Sequence, residues 1–202
     1  MITLATPRLL IRPFTLDDLP AVHQMLDLDP ERNDPGSYGA LSLEQRSDWL
    51  RWTIASYSQL AWLHQPPTYD LAIELSATGE LIGACGFAPC LAEFGQIPSL
   101  AVGQRLHRLT WPEIGLYWEI ASNQRRQGYA TEAGQALIGY GFETLKLRRI
   151  VAMTRHDNAA SIGVMRKLGM RVERNVLPDP PWLQVVGIIE SKQDFGNRRL
   201  AG

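Results

Sequence analysis

Apolar and polar positions along this chain form short strand-like runs separated by stretches of helical spacing. Residues 8–13 are an apolar run that stops at Pro13, which predicts a first strand. Thr15 precedes the acids Asp17 and Asp18, and Leu19, Val22, Met25 and Leu26 then recur at helical spacing. Thr15 suits an N-cap, and the acids suit the positive end of the helix dipole. Ser42 and Gln45 have the spacing of a capping box and open a second helix that runs toward Trp62. Its aromatics Trp49, Trp52 and Trp62 read as core.

Residues 69–75 alternate, residues 80–87 are strand-like again, and Thr78-Gly79 lies between them, which predicts an antiparallel hairpin. From 88 to 110 the pattern fades, broken by Pro89, Gly95, Pro98 and Gly103. That stretch exceeds an ordinary connection and predicts a lid or substrate-side loop. A strand returns at 111–122, a long helix follows at 128–145, and a strand follows at 149–154. Residues 158–168 then read as a helix that Gly169 closes in the left-handed conformation. Strands at 170–174 and 183–190 flank the turn-rich residues Pro178, Asp179, Pro180 and Pro181. No repeat or linker interrupts this order, so residues 1–202 are expected to form one domain, a mixed α/β (α+β) sheet flanked by helices.

Composition narrows the function classes. Lys+Arg total 20 against 21 Asp+Glu, a balance that disfavours nucleic-acid binding through many neutralised phosphates. No stretch is long and apolar enough to span a bilayer, and the first residues lack the layout of a signal peptide, so a cytoplasmic protein is expected. Cys85 and Cys90 flank Phe87 in an apolar run and read as buried free thiols. The four histidines, His23, His64, His107 and His156, show no metal spacing, and no metal is expected.

Chemistry concentrates in residues 125–133, Arg-Arg-Gln-Gly-Tyr-Ala-Thr-Glu-Ala. A strand ends, a polar loop follows and a helix begins near Gly128. The first amides of a helix lack intrahelical partners, and with the helix dipole they make an anion site. Small residues at Gly128 and Ala130 allow close approach, while Arg125 and Arg126 add charge for a diphosphate. The segment is neither a Walker loop nor a Rossmann fingerprint. From the residues alone, a solvated basic loop before an ordinary amphipathic helix is the competing reading.

Arg125-x-x-Gly128-x-Ala130 resembles the Gln/Arg-x-x-Gly-x-Gly/Ala motif of the GNAT superfamily of acyl-CoA N-acyltransferases. Gly128-Tyr129-Ala130-Thr131-Glu132-Ala133 is similar to the RimJ/RimL-like branch, the ribosomal-protein N-terminal acetyltransferases. Downstream, Asp157-Asn158-Ala159-Ala160-Ser161 and Met165-Arg166-Lys167-Leu168-Gly169-Met170 resemble that branch's second signature. The resemblance implies a GNAT fold whose sheet splays between the strands 111–122 and 149–154. It implies acetyl-CoA as co-substrate, with transfer to a small-molecule amine or a protein N-terminus.

By the same resemblance, backbone around Ile120 faces the thioester, and Arg125, Arg126, Gln127, Gly128, Tyr129, Ala130 and Thr131 cradle the pyrophosphate. Asn158 contacts the cofactor arm, Ser161 lies near the sulfur as a candidate proton donor, and Lys167 or Arg166 reaches the nucleotide end. Glu113 is the preferred general base, with Glu119 as the alternative. Trp111, Tyr117 and Trp182 are candidate acceptor walls. A non-catalytic acyl-CoA sensor on the same fold is the alternative function, and edge strands near the C-terminus would suit a homodimer.

Overall fold

The computed structural model describes residues 2–29, 39–65, 69–101, 108–177 and 179–192. Among them, eight strands form one sheet in the order β1-β2-β3-β4-β5-β6-β8-β7. The strands are β1 (Leu4–Ala5), β2 (Leu9–Pro13), β3 (Tyr69–Leu75), β4 (Leu81–Ala92), β5 (Trp111–Ile120), β6 (Arg149–Thr154), β7 (Arg171–Arg174) and β8 (Val185–Glu190). Every neighbouring pair is antiparallel except β5 and β6. The helices are α1 (Leu19–His23), α2 (Leu43–Trp62), α3 (Tyr129–Glu143) and α4 (Ala159–Lys167).

Local chemistry explains the element starts. The Ser42 amide donates to Gln45 Oε1 at 2.9 Å and the Gln45 amide to Ser42 Oγ at 3.2 Å, so the capping box opens α2 where it was expected. The chain after Thr15 is less regular than the apolar spacing suggests. A 3-10 turn at Leu16–Asp18 precedes α1, and a π turn at Gln24–Leu28 follows it. Asp18 does not serve the helix dipole alone, because Arg12 grips both its oxygens at 2.8 Å.

Two expectations need correction. Strand β4 does not stop near Phe87 but continues to Ala92, paired with β5 as far as Trp111. Pro89 is tolerated because it faces Ile114 in a non-hydrogen-bonded pair and lies beyond the end of β3, so its missing N–H interrupts no ladder. Residues 93–101, within the stretch expected as a lid or substrate-side loop, pack Phe94, Ile97 and Leu100 onto Val151, Val186 and Ile188. Buried Asn175 anchors this segment by donating to Gln96 at 2.7 Å. Residues 102–107 of the expected lid, with His107 among them, lie outside the described residues, as does Pro178 of the later turn. The second correction concerns α2, where Trp52 and Trp62 are exposed and only Trp49 packs inward.

Apolar layers cover both faces of the sheet. On one face α3 and α4 bury Leu137, Ile162 and Met165 against Ile11, Ile73, Phe87 and Ile150. On the other, Phe14, Val22, Met25 and Leu50 from the α1–α2 region cover Ala72 and Ala84. Asp27 ties this second layer together. Its buried carboxylate accepts from Arg46 at 2.7 and 2.8 Å, from the Leu41 amide at 2.8 Å, and pairs with His23 at 2.8 Å. Burial pushes its pKa up, but the bonds from Arg46, Leu41 and His23 outweigh it and bring the value down to about 2.

A carboxyl depressed in the folded state stabilises above its unfolded value of 3.8 and loses that effect as pH falls through about 2. Asp27→Asn should therefore be less stable than wild type near neutrality, and the gap between the two should narrow between pH 4 and 2. Urea titrations across that range check it; a gap that stays constant down to pH 2 contradicts it.

Candidate active site

Strands β5 and β6 run parallel and pair at one register point, Gly115 opposite Val151. Two residues earlier on each strand stand Glu113 and Arg149. Arg149 Nε donates to Glu113 Oε2 at 3.0 Å, and Arg149 Nη2 and Trp111 Nε1 both donate to Oε1, the latter at 2.9 Å. Glu113 is buried, so this bidentate pair is a charge-assisted clamp between the strands just before they part. It leaves neither oxygen free.

Beyond Gly115 the two strands diverge. The Ala121 amide bonds to Ile82 C=O, and Ile120 faces Gly83 in the neighbouring non-hydrogen-bonded pair. Antiparallel alternation then turns the backbone groups of Trp118 and Ile120 away from β4 and into the gap. Arg125 Nε donates to the Ile120 carbonyl at 3.2 Å. The Ile120 N–H is thus presented to the gap, at a strand edge of the kind that accepts an extended polar chain.

At the open end of the gap lies the loop that the sequence marks as a candidate anion site. A 3-10 turn, Ser122–Gln124, follows β5 and is held by Ser122 N–H donating to Asp29 at 3.1 Å. Arg126 at φ 63° and Gly128 at φ 86° are left-handed, which Gly128 adopts without strain and Arg126 does not. The first helical bond of α3 runs from the Glu132 amide to Gly128 C=O at 3.0 Å. The N–H groups of Tyr129, Ala130 and Thr131 therefore have no intrahelical acceptor, and the positive end of the helix dipole lies there. Arg125 folds back toward Glu119, with 3.7 Å between Nη2 and Oε1, while Arg126 and Gln127 are exposed.

A brace from the bend between β1 and β2, which sequence reasoning missed, fixes this loop. Arg8 donates through Nη1 to Gln127 C=O at 3.0 Å and through Nε to Glu132 at 2.7 Å, and its guanidinium lies 4.6 Å from the Tyr129 ring centroid. Glu132 also accepts from Thr6 Oγ1 at 2.6 Å and the Arg8 amide at 2.9 Å. Burial raises the Glu132 pKa, but bonds from Thr6 and Arg8 prevail and lower it. Arg8 and Glu132 are more than a hundred positions apart, and only folding reveals the pair.

The second signature begins after β6 and flanks the same open end. Asn158 Oδ1 accepts the Ser161 amide at 3.0 Å and so caps α4, leaving the side-chain NH₂ to donate elsewhere. Ser161 lies in the first turn, partly buried. Exposed Lys167 stands in the last turn, about 13 Å along the helix from Asn158 at 1.5 Å per residue. Of the expected acceptor walls, Trp111 packs against Phe94 with centroids 6.1 Å apart, Trp182 is exposed, and Tyr117 bonds to Asp70. Cys85 and Cys90 are free thiols; burial pushes the Cys85 thiol far above its ordinary value and the Cys90 thiol to about 11, and Cys90 is only part-buried. Among the described residues no His, Cys, Asp or Glu cluster is placed to hold a metal, and no helix is long and apolar enough to cross a membrane. A cavity of about 420 Å³ opens elsewhere, between β1 and the rings of Tyr57, Tyr69 and Tyr140.

Comparison with known proteins gives the family and the fold. The family described as Acetyltransferase (GNAT) domain matches residues 8–171. The uncharacterized N-acetyltransferase YoaA of Bacillus subtilis is 30% identical over 170 residues, covering 84% of this chain and 83% of YoaA. The acetyltransferase from Agrobacterium tumefaciens superposes with a TM-score of 0.66 at 25% identity, covering 95% of each chain. Mycobacterium smegmatis RimJ in complex with CoA-disulfide superposes with a TM-score of 0.60 at 19% identity, covering 93% of this chain and 84% of RimJ, which shows likeness of fold alone.

The clamp makes a prediction independent of ligand. Glu113→Gln should cost about 3 kcal/mol in urea denaturation, because Arg149 is left part-buried without its counter-charge. Stability equal to wild type would contradict the clamp.

Proposed function

Since this chain belongs to the GNAT acetyltransferase family, and is thereby an acyltransferase, we propose that it moves an acetyl group from acetyl-CoA directly to a primary amine, either a protein N-terminus or a small molecule. The observation that carries this reading is the parting of β5 from β6 after Gly115, with the unpartnered amides of α3 at the open end. A long ligand with a diphosphate partway along it and an amide-bearing arm fits both features at once. The amides of Tyr129, Ala130 and Thr131 would take the diphosphate. Gly128 permits the close approach, and Arg125, Arg126 and Gln127 border the cradle. The strand edge at Trp118 and Ile120 would pair with the arm, and the Asn158 side-chain NH₂ would reach it from the other flank. Lys167 would serve the nucleotide end only by reaching back along α4.

The acetyl thioester supplies the activated carbonyl, and the protein's part is placement. Holding amine and thioester together replaces a bimolecular encounter by a positioned one. The Ile120 N–H can polarise the carbonyl oxygen, and Ser161 can protonate the departing sulfur. Glu113 is better suited to keeping the gap closed at its narrow end than to accepting a proton, because both its oxygens are engaged. Glu119 is likewise held near Arg125.

Calorimetric titration should show acetyl-CoA binding to the wild-type protein and no heat with ATP. Gly128→Glu sets a carboxylate where the diphosphate belongs, and should weaken acetyl-CoA by at least about a hundredfold, equivalent to roughly 3 kcal/mol. Unchanged affinity in the folded variant would place the cofactor elsewhere. Binding of ATP without acetyl-CoA would overturn the reading altogether.

A further inference from the structure

Asp70 is a carboxylate two strands away from β5. Asp70 of β3 faces Gly86 of β4, and Gly86 faces Tyr117 of β5, so the three form a row across the sheet. The row lies on the α1–α2 face, where Ala72, Ala84 and Tyr117 pack, and opposite the face covered by α3 and α4. The Tyr117 hydroxyl donates to Asp70 Oδ1 at 2.5 Å, two strands away. Its ring can cross β4 because residue 86 is glycine: a Cβ there would stand 3.1 Å from Tyr117 Cε1 and collide with the Tyr69 carbonyl. A side chain at position 86 would break the link.

The surroundings of Asp70 set it apart from the other acids of this side. Asp18 and Glu74 pair with Arg12, Asp27 with Arg46, Glu119 with Arg125 and Glu113 with Arg149. The side-chain hydrogen bond to Asp70 comes from Tyr117 and not from a guanidinium. From α2, the Tyr57 hydroxyl donates to the Asp70 main-chain carbonyl at 2.5 Å while accepting the Phe14 amide at 2.9 Å. Arg46 of α2 acts on Asp70 only at longer range, and Cys85 of β4 is the neighbouring thiol. Burial raises the Asp70 pKa above 3.8 against the opposing effects of Tyr117 and Arg46. Burial first, and Asp70 next, hold the Tyr117 hydroxyl well above 10, so it stays a donor at neutral pH. Both residues keep part of their surface exposed, while the carboxyl and the phenol themselves lie in buried surroundings. Tyr117 lies two positions past Gly115, in the part of β5 that has left β6.

We propose that Tyr117 and Asp70 form the proton-accepting arm of the acceptor site, reached from the α1–α2 face. The inference rests on the acetyl-transfer reading above. The acceptor's ammonium gives one proton to the Tyr117 oxygen as the Tyr117 hydroxyl proton passes to Asp70 Oδ1. The neutral amine nitrogen then bonds to the thioester carbonyl carbon, the carbon–sulfur bond breaks, and the sulfur leaves with the electron pair. The second nitrogen proton goes to that sulfur, and Asp70 later returns its proton to solvent. Asp70 acts through Tyr117, so the pair and not either residue alone is the base.

The test uses the full chain with acetyl-CoA, and n-butylamine and an alanine-initiated hexapeptide as acceptors. Wild-type kcat/KM should fall on the acid side with an apparent pKa above that of an ordinary carboxylate, because the base must be ionised. Asp70→Asn, which still accepts from Tyr117, should lower kcat by about a hundredfold and abolish that acid limb. Its acetyl-CoA affinity by calorimetry should stay at the wild-type value. Tyr117→Phe should show the same loss, and decides the matter if the Asp70 variant does not fold. Full turnover with an unchanged acid limb in either folded variant overturns this proposal and leaves acetyl transfer standing. A wild-type protein that binds no acetyl-CoA, or acetylates neither probe, overturns both.

Discussion

Two parallel strands that meet at one point and then part impose the main constraint on this molecule. Parallel neighbours in a sheet normally satisfy each other's backbone groups along their shared length. Here β5 and β6 do so at Gly115 and Val151 and then leave a strand edge directed inward. The strands cannot close over it, because Glu113 and Arg149 hold them at the narrow end while each runs into its own loop at the wide end. The loop after β5 and the turn after β6 both feed helices whose N-termini flank the opening. A backbone edge and a helix start, both rich in unpartnered N–H groups, thus meet in one place.

Rigidity around that opening comes largely from arginines that reach across the chain. Arg8 ties the bend between β1 and β2 to the start of α3, Arg149 ties β6 to β5, and Arg46 locks α2 to the segment carrying Asp27. The planar guanidinium suits this work because it engages both oxygens of a carboxylate, or a carboxylate and a carbonyl, in a fixed geometry. Against that background Asp70 differs in kind: its carboxylate accepts from a phenol.

Much of the fold was legible from local patterns. The Ser42–Gln45 capping box, the Thr78-Gly79 hairpin turn, the helix beginning after Gly128 and the Gly169 stop all depend on contacts within a few residues. The loop proposed for the diphosphate was legible as a strand-loop-helix junction for the same reason, since its geometry is carried by consecutive backbone groups. What escaped depends on partners distant in sequence. Pro89 reads as a breaker until its N side is known to face no strand. Glu113 reads as a free strand acid until Arg149 is placed beside it. Asp70 is an ordinary alternation residue until Gly86 lets Tyr117 reach it. Exposure of Trp52 and Trp62 was equally hidden, because helical spacing alone does not say which face the sheet covers.

Amide hydrogen exchange with and without CoA tests the central claim most directly, because it reads the backbone groups themselves. The account predicts slower exchange on adding CoA at Trp118 and Ile120 of β5 and at Tyr129, Ala130 and Thr131 of α3. Unchanged exchange at these five amides, with protection confined to the cavity between β1 and Tyr57, Tyr69 and Tyr140, would contradict it.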